Sequence, residues 1–164
     1  MDKKLLLLII IGFISFLFFN QKDEKSKPEN NLKTVANPKI EELIEFANSY
    51  KGVLYRAGGS TRKGMDCSGL VSTSFKNIGI ILPRSSSEIS NNGKEIFLEN
   101  VKIGDLLFFN IARLQGEINH VGLVTLIKNG EIFFIHSTTS KGVIISSMKE
   151  SYWKNEFVKA KRIL

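Results

Sequence analysis

The chain has 164 residues, 43% of them hydrophobic, and a formal net charge of +7, which gives room for one domain with a real core and not for two. Its basic residues are scattered among acidic ones rather than gathered into a stripe interleaved with aromatics, so nucleic-acid binding is set aside. A basic, solvated surface suits anionic surroundings such as a lipid surface or an acidic polymer.

At the N-terminus Lys3 and Lys4 precede an apolar run over residues 5–19, and Asn20, Gln21 and Lys22 follow at once. Residues 1–20 therefore read as a secretory signal or a membrane anchor, and the protein as exported to the cell envelope. The run falls short of the roughly 20 residues that span a bilayer comfortably, which favours a signal. Leu17, Phe18 and Phe19 stand where small residues would mark a cleavage site, which keeps an uncleaved anchor open. Residues 21–37 are polar and charged and include Pro28, as expected of a flexible linker.

A folded domain is expected over residues 38–164. Asn37 as N-cap, Pro38 at the first helical position, and Ile40, Leu43, Ile44 and Ala47 at helical spacing predict a helix over 38–50. Tyr55, Arg56, Ala57, Gly58, Gly59 and Ser60 read as a loop. Val71, Phe75 and Ile78 share one stripe and predict a second helix over 67–78, stopped by Gly79. Pro83 at a first position predicts a short third helix to about residue 91. Segments 106–109, 121–127, 131–136, 143–147 and 157–163 are rich in branched and aromatic residues and predict strands. Helices first and strands afterwards argue for an α+β fold with an antiparallel sheet.

The only cysteine, Cys67, opens the second helix, and the only histidines, His120 and His136, lie downstream in strand segments. In an oxidising envelope a thiol without a partner in its own chain is either sealed in the core or kept for chemistry. A helix N-terminus favours the thiolate, which makes Cys67 a candidate nucleophile and one histidine its base. A zinc site built from Cys67, His120 and His136 lacks paired-ligand spacing, so no metal or cofactor is expected.

Strand parity tests this pairing. A two-residue Asn129-Gly130 turn would pair Lys128 with Glu131 and send the histidines to opposite faces. A three-residue loop with Gly130 at positive φ would set His136 opposite Gly122, diagonal to His120 on one face. Cooperation therefore requires the three-residue register or a bulge, and the loop is the expected solution, with Cys67 within hydrogen-bond reach of His120.

Residues 66–71, Tyr55 to Gly59, 82–85, 104–108 and 120–124, with His136, Ser137, Gly142, Tyr152 and Trp153, resemble the NlpC-type family of bacterial cell-wall cysteine peptidases, most closely its Spr (MepS) branch of murein DD-endopeptidases. The resemblance implies a papain-like domain, its N-terminal helices packed on a C-terminal antiparallel sheet, with peptidoglycan stems as substrate. It also implies roles: Cys67 as nucleophile, His120 as base and acid, His136 as orienter of His120, and the Cys67 amide with the Tyr55 hydroxyl as oxyanion hole. Asp66 and Ser68 either cap the Cys67 helix or bind the peptide stem. Arg56 and Arg84 either hold substrate carboxylates or serve the surface and structure, and Asp105 is structural. Unlike lipoproteins of that branch, the chain has Asn20 after its apolar run and no lipid-bearing cysteine. The expected reaction is cleavage of the D-alanine to diaminopimelate cross-link. Cleavage between D-glutamate and the diamino acid is the alternative within the family. Lipid acyltransfer and a catalytically silent wall-binding module are the other classes.

Overall fold

The computed structural model describes residues 37–164. The expectations for the signal or anchor, and for the linker ahead of Asn37, lie outside the described residues. Among the described residues no helix is long and apolar enough to cross a membrane.

Helix α1 is Pro38–Asn48, and the Asn37 side chain accepts from the Lys39 amide at 3.0 Å, as the cap pattern requires. It ends two residues before the expected boundary. The chain then turns through Gly52, at φ 84°, and the Gly52 amide donates to the Val143 carbonyl. Within the glycine-rich stretch expected as plain loop, Ser60–Thr61 (β1) and Gly64–Met65 (β2) form a small hairpin. Helix α2 is Cys67–Asn77, with Asp66 as its N-cap. Helix α3 is Ser86–Ile89, so Pro83 lies outside it. Ser85 is the cap instead, in a reciprocal box with Glu88 that satisfies two amides at once.

The remaining elements are β3 (Lys94–Ile96), a 3-10 turn (Leu98–Asn100), β4 (Leu106–Phe109), β5 (His120–Lys128), β6 (Glu131–Thr138), β7 (Gly142–Ser147), α4 (Ser151–Glu156) and β8 (Phe157–Arg162). The sequence pattern did not anticipate β3 or α4. The strands make one antiparallel six-stranded sheet in the order β3-β8-β4-β5-β6-β7. Both of its faces are covered. Leu106, Phe108, Val121, Leu123 and Ile135 pack on one face against Leu43 and Ala47 of α1 and Leu70, Val71 and Phe75 of α2. Leu107, Phe109, Val124 and Phe134 pack on the other with Trp153 of α4. Burial on both faces explains why β4 is uninterrupted Leu-Leu-Phe-Phe instead of alternating with polar residues. The architecture is the expected α+β one.

The β5–β6 hairpin solves the parity problem differently from the expected loop. Its turn has two residues, Asn129 (φ 52°) and Gly130 (φ 76°), and Lys128 pairs with Glu131. The register then shifts between Val124 and Leu126, where Thr125 bulges out of the ladder. Beyond the bulge Leu123 pairs with Ile135, so the next pair sets Gly122 beside His136 and brings both histidines to one face. A Cβ at Gly122 would stand 2.5 Å from the Phe134 ring, so only glycine leaves room for that ring beneath the histidines.

Asp105, at the start of β4, is 2% exposed. It accepts from the Lys102 amide at 2.7 Å and from Arg162 Nε and Nη2 at 2.8 and 2.7 Å, which ties β8 to β4. Removing the arginine would leave a buried carboxylate uncompensated. Arg162→Met is expected to lower stability by about 2–3 kcal/mol in denaturant unfolding, below the full cost of a wholly buried pair because 28% of the Arg162 side chain is exposed.

Candidate active site

Asp66 organises the ground around Cys67. Its Oδ1 accepts from the Gly69 amide at 2.7 Å, capping α2, and its Oδ2 accepts from the Gly58 amide at 2.8 Å, fixing the loop that carries Tyr55. Arg84 donates to both oxygens, at 2.9 and 2.7 Å, and also to Ser68 Oγ and the Gly59 carbonyl. A charged, bidentate pair with every carboxylate oxygen engaged is a rigid brace. Ser137, beside His136, donates to the Met65 carbonyl at 2.7 Å and so locks the histidine strand to the segment leading into Cys67.

Tyr55, Cys67 and His120 line one cavity of about 440 Å³, together with Ser146 and Trp153. Asp66, Ser68, Arg56 and Arg84 do not line it. The first, second and fourth form the brace behind the cysteine, and the Arg56 side chain lies against the bare Cα of Gly64.

His120 and His136 are 5% and 0% exposed. His120 Nε2 and His136 Nδ1 are 2.9 Å apart, and His136 Nε2 lies 3.0 Å from Ser146 Oγ. Trp153 stacks on His120 with ring centroids 5.4 Å apart and meets His136 edge-on at 4.5 Å. Phe134 packs against His136 at 4.7 Å. Ser146 and α4 were missed as parts of the site by the sequence pattern. A serine in a strand and an aromatic in a short helix carry no spacing signal, although Trp153 was among the residues carrying the resemblance.

The thiol does not behave as its helix position suggests. Burial pushes the Cys67 thiol up from its ordinary pKa, and the Asp66 charge adds to this. The amides of Val121, Ser68 and Cys67 pull it down without winning. Burial, followed by the nearby charge of Arg113, lowers His120 to about 4. His136 is driven well below its ordinary value by burial and by His120. Tyr55 is raised by burial, then by the charges of Cys67 and Asp66. Both shifts run in the direction that favours the neutral forms, thiol and imidazole. The expected hydrogen bond from Cys67 to His120 is not formed among the described residues. The thiol approaches the amide of Val121, the neighbour of His120 in β5. Catalytic hydrogen bonds of this kind tighten when substrate binds.

The arrangement has what acyl transfer asks for: a half-buried cysteine at a helix N-terminus, a buried histidine with an oriented ring as candidate base, and a tyrosine at the same cavity. Among the described residues no group of three or more His, Cys, Asp or Glu is arranged to hold a metal ion.

The chain is 47% identical over 135 residues to the murein DD-endopeptidase MepS/murein LD-carboxypeptidase of Escherichia coli K12, covering 82% of this chain and 68% of that one. A solved NlpC/P60 family protein of Bacillus cereus superposes with a TM-score of 0.67 at 32% identity, over 76% of this chain and 40% of that one. The peptidoglycan hydrolase RipB of Mycobacterium tuberculosis superposes with a TM-score of 0.62 at 27% identity, over 77% of this chain and 65% of that one. The profile of the NlpC/P60 family matches residues 52–162, from the turn after α1 to the end of β8 and through every element that builds the cavity. This chain belongs to the NlpC/P60 family.

Proposed function

We propose that the protein is a cysteine endopeptidase of the cell envelope that hydrolyses the peptide cross-links of peptidoglycan at the bond from D-alanine to the side-chain amine of diaminopimelate. The observation that carries the chemistry is the buried row of ring nitrogens from His120 through His136 to Ser146, at the cavity that Cys67 opens into. The murein DD-endopeptidase name of the 47%-identical relative supports the bond.

The row dictates a protonation pattern. For His120 to take the thiol proton at Nδ1, its neutral ring must carry hydrogen on Nε2, which then donates to His136 Nδ1. His136 must in turn carry its hydrogen on Nε2 and donate to Ser146 Oγ. The opposite pattern would place a hydrogen on His120 Nδ1 and disable the base. Ser146 accepting, rather than donating, is thus the condition for catalysis.

Cys67 Sγ attacks the amide carbon while His120 Nδ1 removes its proton. The oxyanion is held by the Cys67 amide, at the first position of α2, and the Tyr55 hydroxyl. Proton transfer accompanies attack, because burial raises the thiol and lowers the imidazole, directions that both favour the neutral forms. Trp153, stacked on His120, favours the imidazolium as it forms, through its ring face. That imidazolium gives its proton to the leaving amine as the C–N bond breaks. Water, deprotonated by His120, then cleaves the thioester and frees the thiol and the D-alanine carboxylate.

Lys3, Lys4 and the apolar run that follows support export with retention at the membrane. Fractionation is expected to find the protein with the membrane and its catalytic domain outside the cytoplasm. A wholly cytosolic pool would overturn this.

Digestion of purified muropeptides, read by mass, is expected to convert cross-linked dimers to monomers and spare isolated tetrapeptide stems. Stems cut after D-glutamate with dimers intact would overturn the bond assignment. In the same assay Cys67→Ala and His120→Ala lose roughly 10⁴-fold or more, while His136→Ala and Tyr55→Phe keep residual turnover, down about 100-fold.

Both histidines are buried neutral, so their folded pKa values lie below the unfolded value near 6.5. The unfolded chain binds more protons as pH falls through 6.5, and stability, complete above that pH, is lost on the way toward 4. The melting temperature is expected to be flat above pH 7 and to fall on the order of 10 °C between pH 6.5 and 4, with a smaller fall in His120→Asn. An unchanged profile in that variant would show that the ring is not held neutral.

A further inference from the structure

We propose that Arg113, with Thr139 and Lys141, forms a carboxylate-binding subsite on the leaving-group side of the cavity, so that the enzyme selects cross-links whose leaving amine sits on a carboxylate-bearing carbon. The inference rests on the peptidase reading above and adds the group that reads the substrate. The other arginines of the described residues are either committed or elsewhere. Arg84 is paired with Asp66 and Arg162 with Asp105, Arg62 binds Ser49 and lies over Tyr50, and Arg56 is outside the cavity. Arg113 lines the cavity, is exposed, and has no carboxylate partner among the described residues.

Its head is nonetheless placed. Nη2 donates to Thr139 Oγ1 at 3.3 Å, linking the β4–β5 loop to the β6–β7 loop across one end of the cavity and leaving most of the guanidinium fork free. Lys141, two residues on from Thr139 in the β6–β7 loop, adds a second cation to the cavity lining. Glu150, the one carboxylate residue lining the cavity, already accepts from the Ser147 amide at 2.9 Å. A planar fork with unused donors beside an ammonium is the geometry that takes a carboxylate bidentately.

The position fits the chemistry of the leaving group. His120 delivers the proton to the leaving amine, and Arg113 stands near enough for its charge to oppose protonation of that imidazole. In a diaminopimelate cross-link the carbon bearing the acylated amine also bears a carboxylate, which brings an anion to this place when the amine faces His120. Neutralising Arg113 there removes its opposition to proton transfer from Cys67. Binding of the correct substrate thus strengthens the base. A lysine cross-link presents the same amine without the carboxylate and leaves the arginine charge unopposed.

The test compares dimers cross-linked through diaminopimelate with the same dimers built on lysine. Wild type is expected to favour the former in kcat/KM by roughly 10- to 100-fold. Arg113→Gln should lose that preference by slowing on the diaminopimelate dimer alone, and Arg113→Lys should recover part of it. The acid limb of kcat/KM should move to higher pH in Arg113→Gln as His120 is relieved of the charge. An equal loss on both dimers, or an unchanged preference, would overturn the subsite. A second probe does not need the peptidase reading: the ratio of Cys67 alkylation rates by iodoacetate and by iodoacetamide. That ratio should fall severalfold in Arg113→Gln. Wild type that cuts neither dimer but shows this fall would sink the peptidase reading and keep the anion site, whereas an unchanged ratio would sink the site.

Discussion

The hydrogen bond between two buried imidazoles, His120 Nε2 and His136 Nδ1, is the constraint on which the rest of the site depends. Two rings meet in this way only if both side chains leave the sheet on the same face. The tight Asn129-Gly130 turn gives the wrong parity, and the Thr125 bulge restores it by spending one residue outside the ladder. Gly122 then lies between the histidines without a side chain, so that the Phe134 ring can pack under them. Trp153 closes the box from α4, stacked on His120 and edge-on to His136. Short, unpatterned α4 exists in the site to supply that ring.

The second support is Asp66. One carboxylate caps α2, holds the Gly58 amide and binds Arg84, so that Cys67 and the Tyr55 loop are set by a single group. Residues in the Asp-Cys-Ser stretch that invite a substrate-binding role are thereby placed on the structural side of the nucleophile, away from the cavity wall. The cavity is lined instead by side chains from the β4–β5 and β6–β7 loops, which carry Arg113 and Lys141, cations without a carboxylate partner among the described residues. This division is physically reasonable. A buried charge must be paired to be tolerated, while a cation meant for a ligand must be left with donors to spare.

Burial also sets the electrical state of the site. A helix N-terminus draws a thiol toward the thiolate, but enclosing the sulfur and removing the imidazole from water outweigh that pull.

Much was legible in the chain by itself. Asn37 and Pro38 marked the start of α1, Asp66 capped the helix of Cys67, and the apolar segments from Leu106 onward became the central strands, because caps and hydrophobic period are local properties that a few neighbouring residues decide. The counts of one cysteine and two histidines singled out the candidate reacting groups, and the fold brings Cys67 and His120 to one cavity with His136 bonded behind. The hairpin register was not decided locally. Turn chemistry alone permitted both parities, and packing of His120, Phe134 and His136 on one sheet face selected the bulge. The parts played by Ser146, Trp153 and Arg113 likewise depend on segments far apart in the chain meeting at one cavity. The direction in which the Cys67 thiol is shifted follows the same rule. Its helix position is written in the sequence, but how much water it loses is set by everything that folds over it, and desolvation is the larger effect.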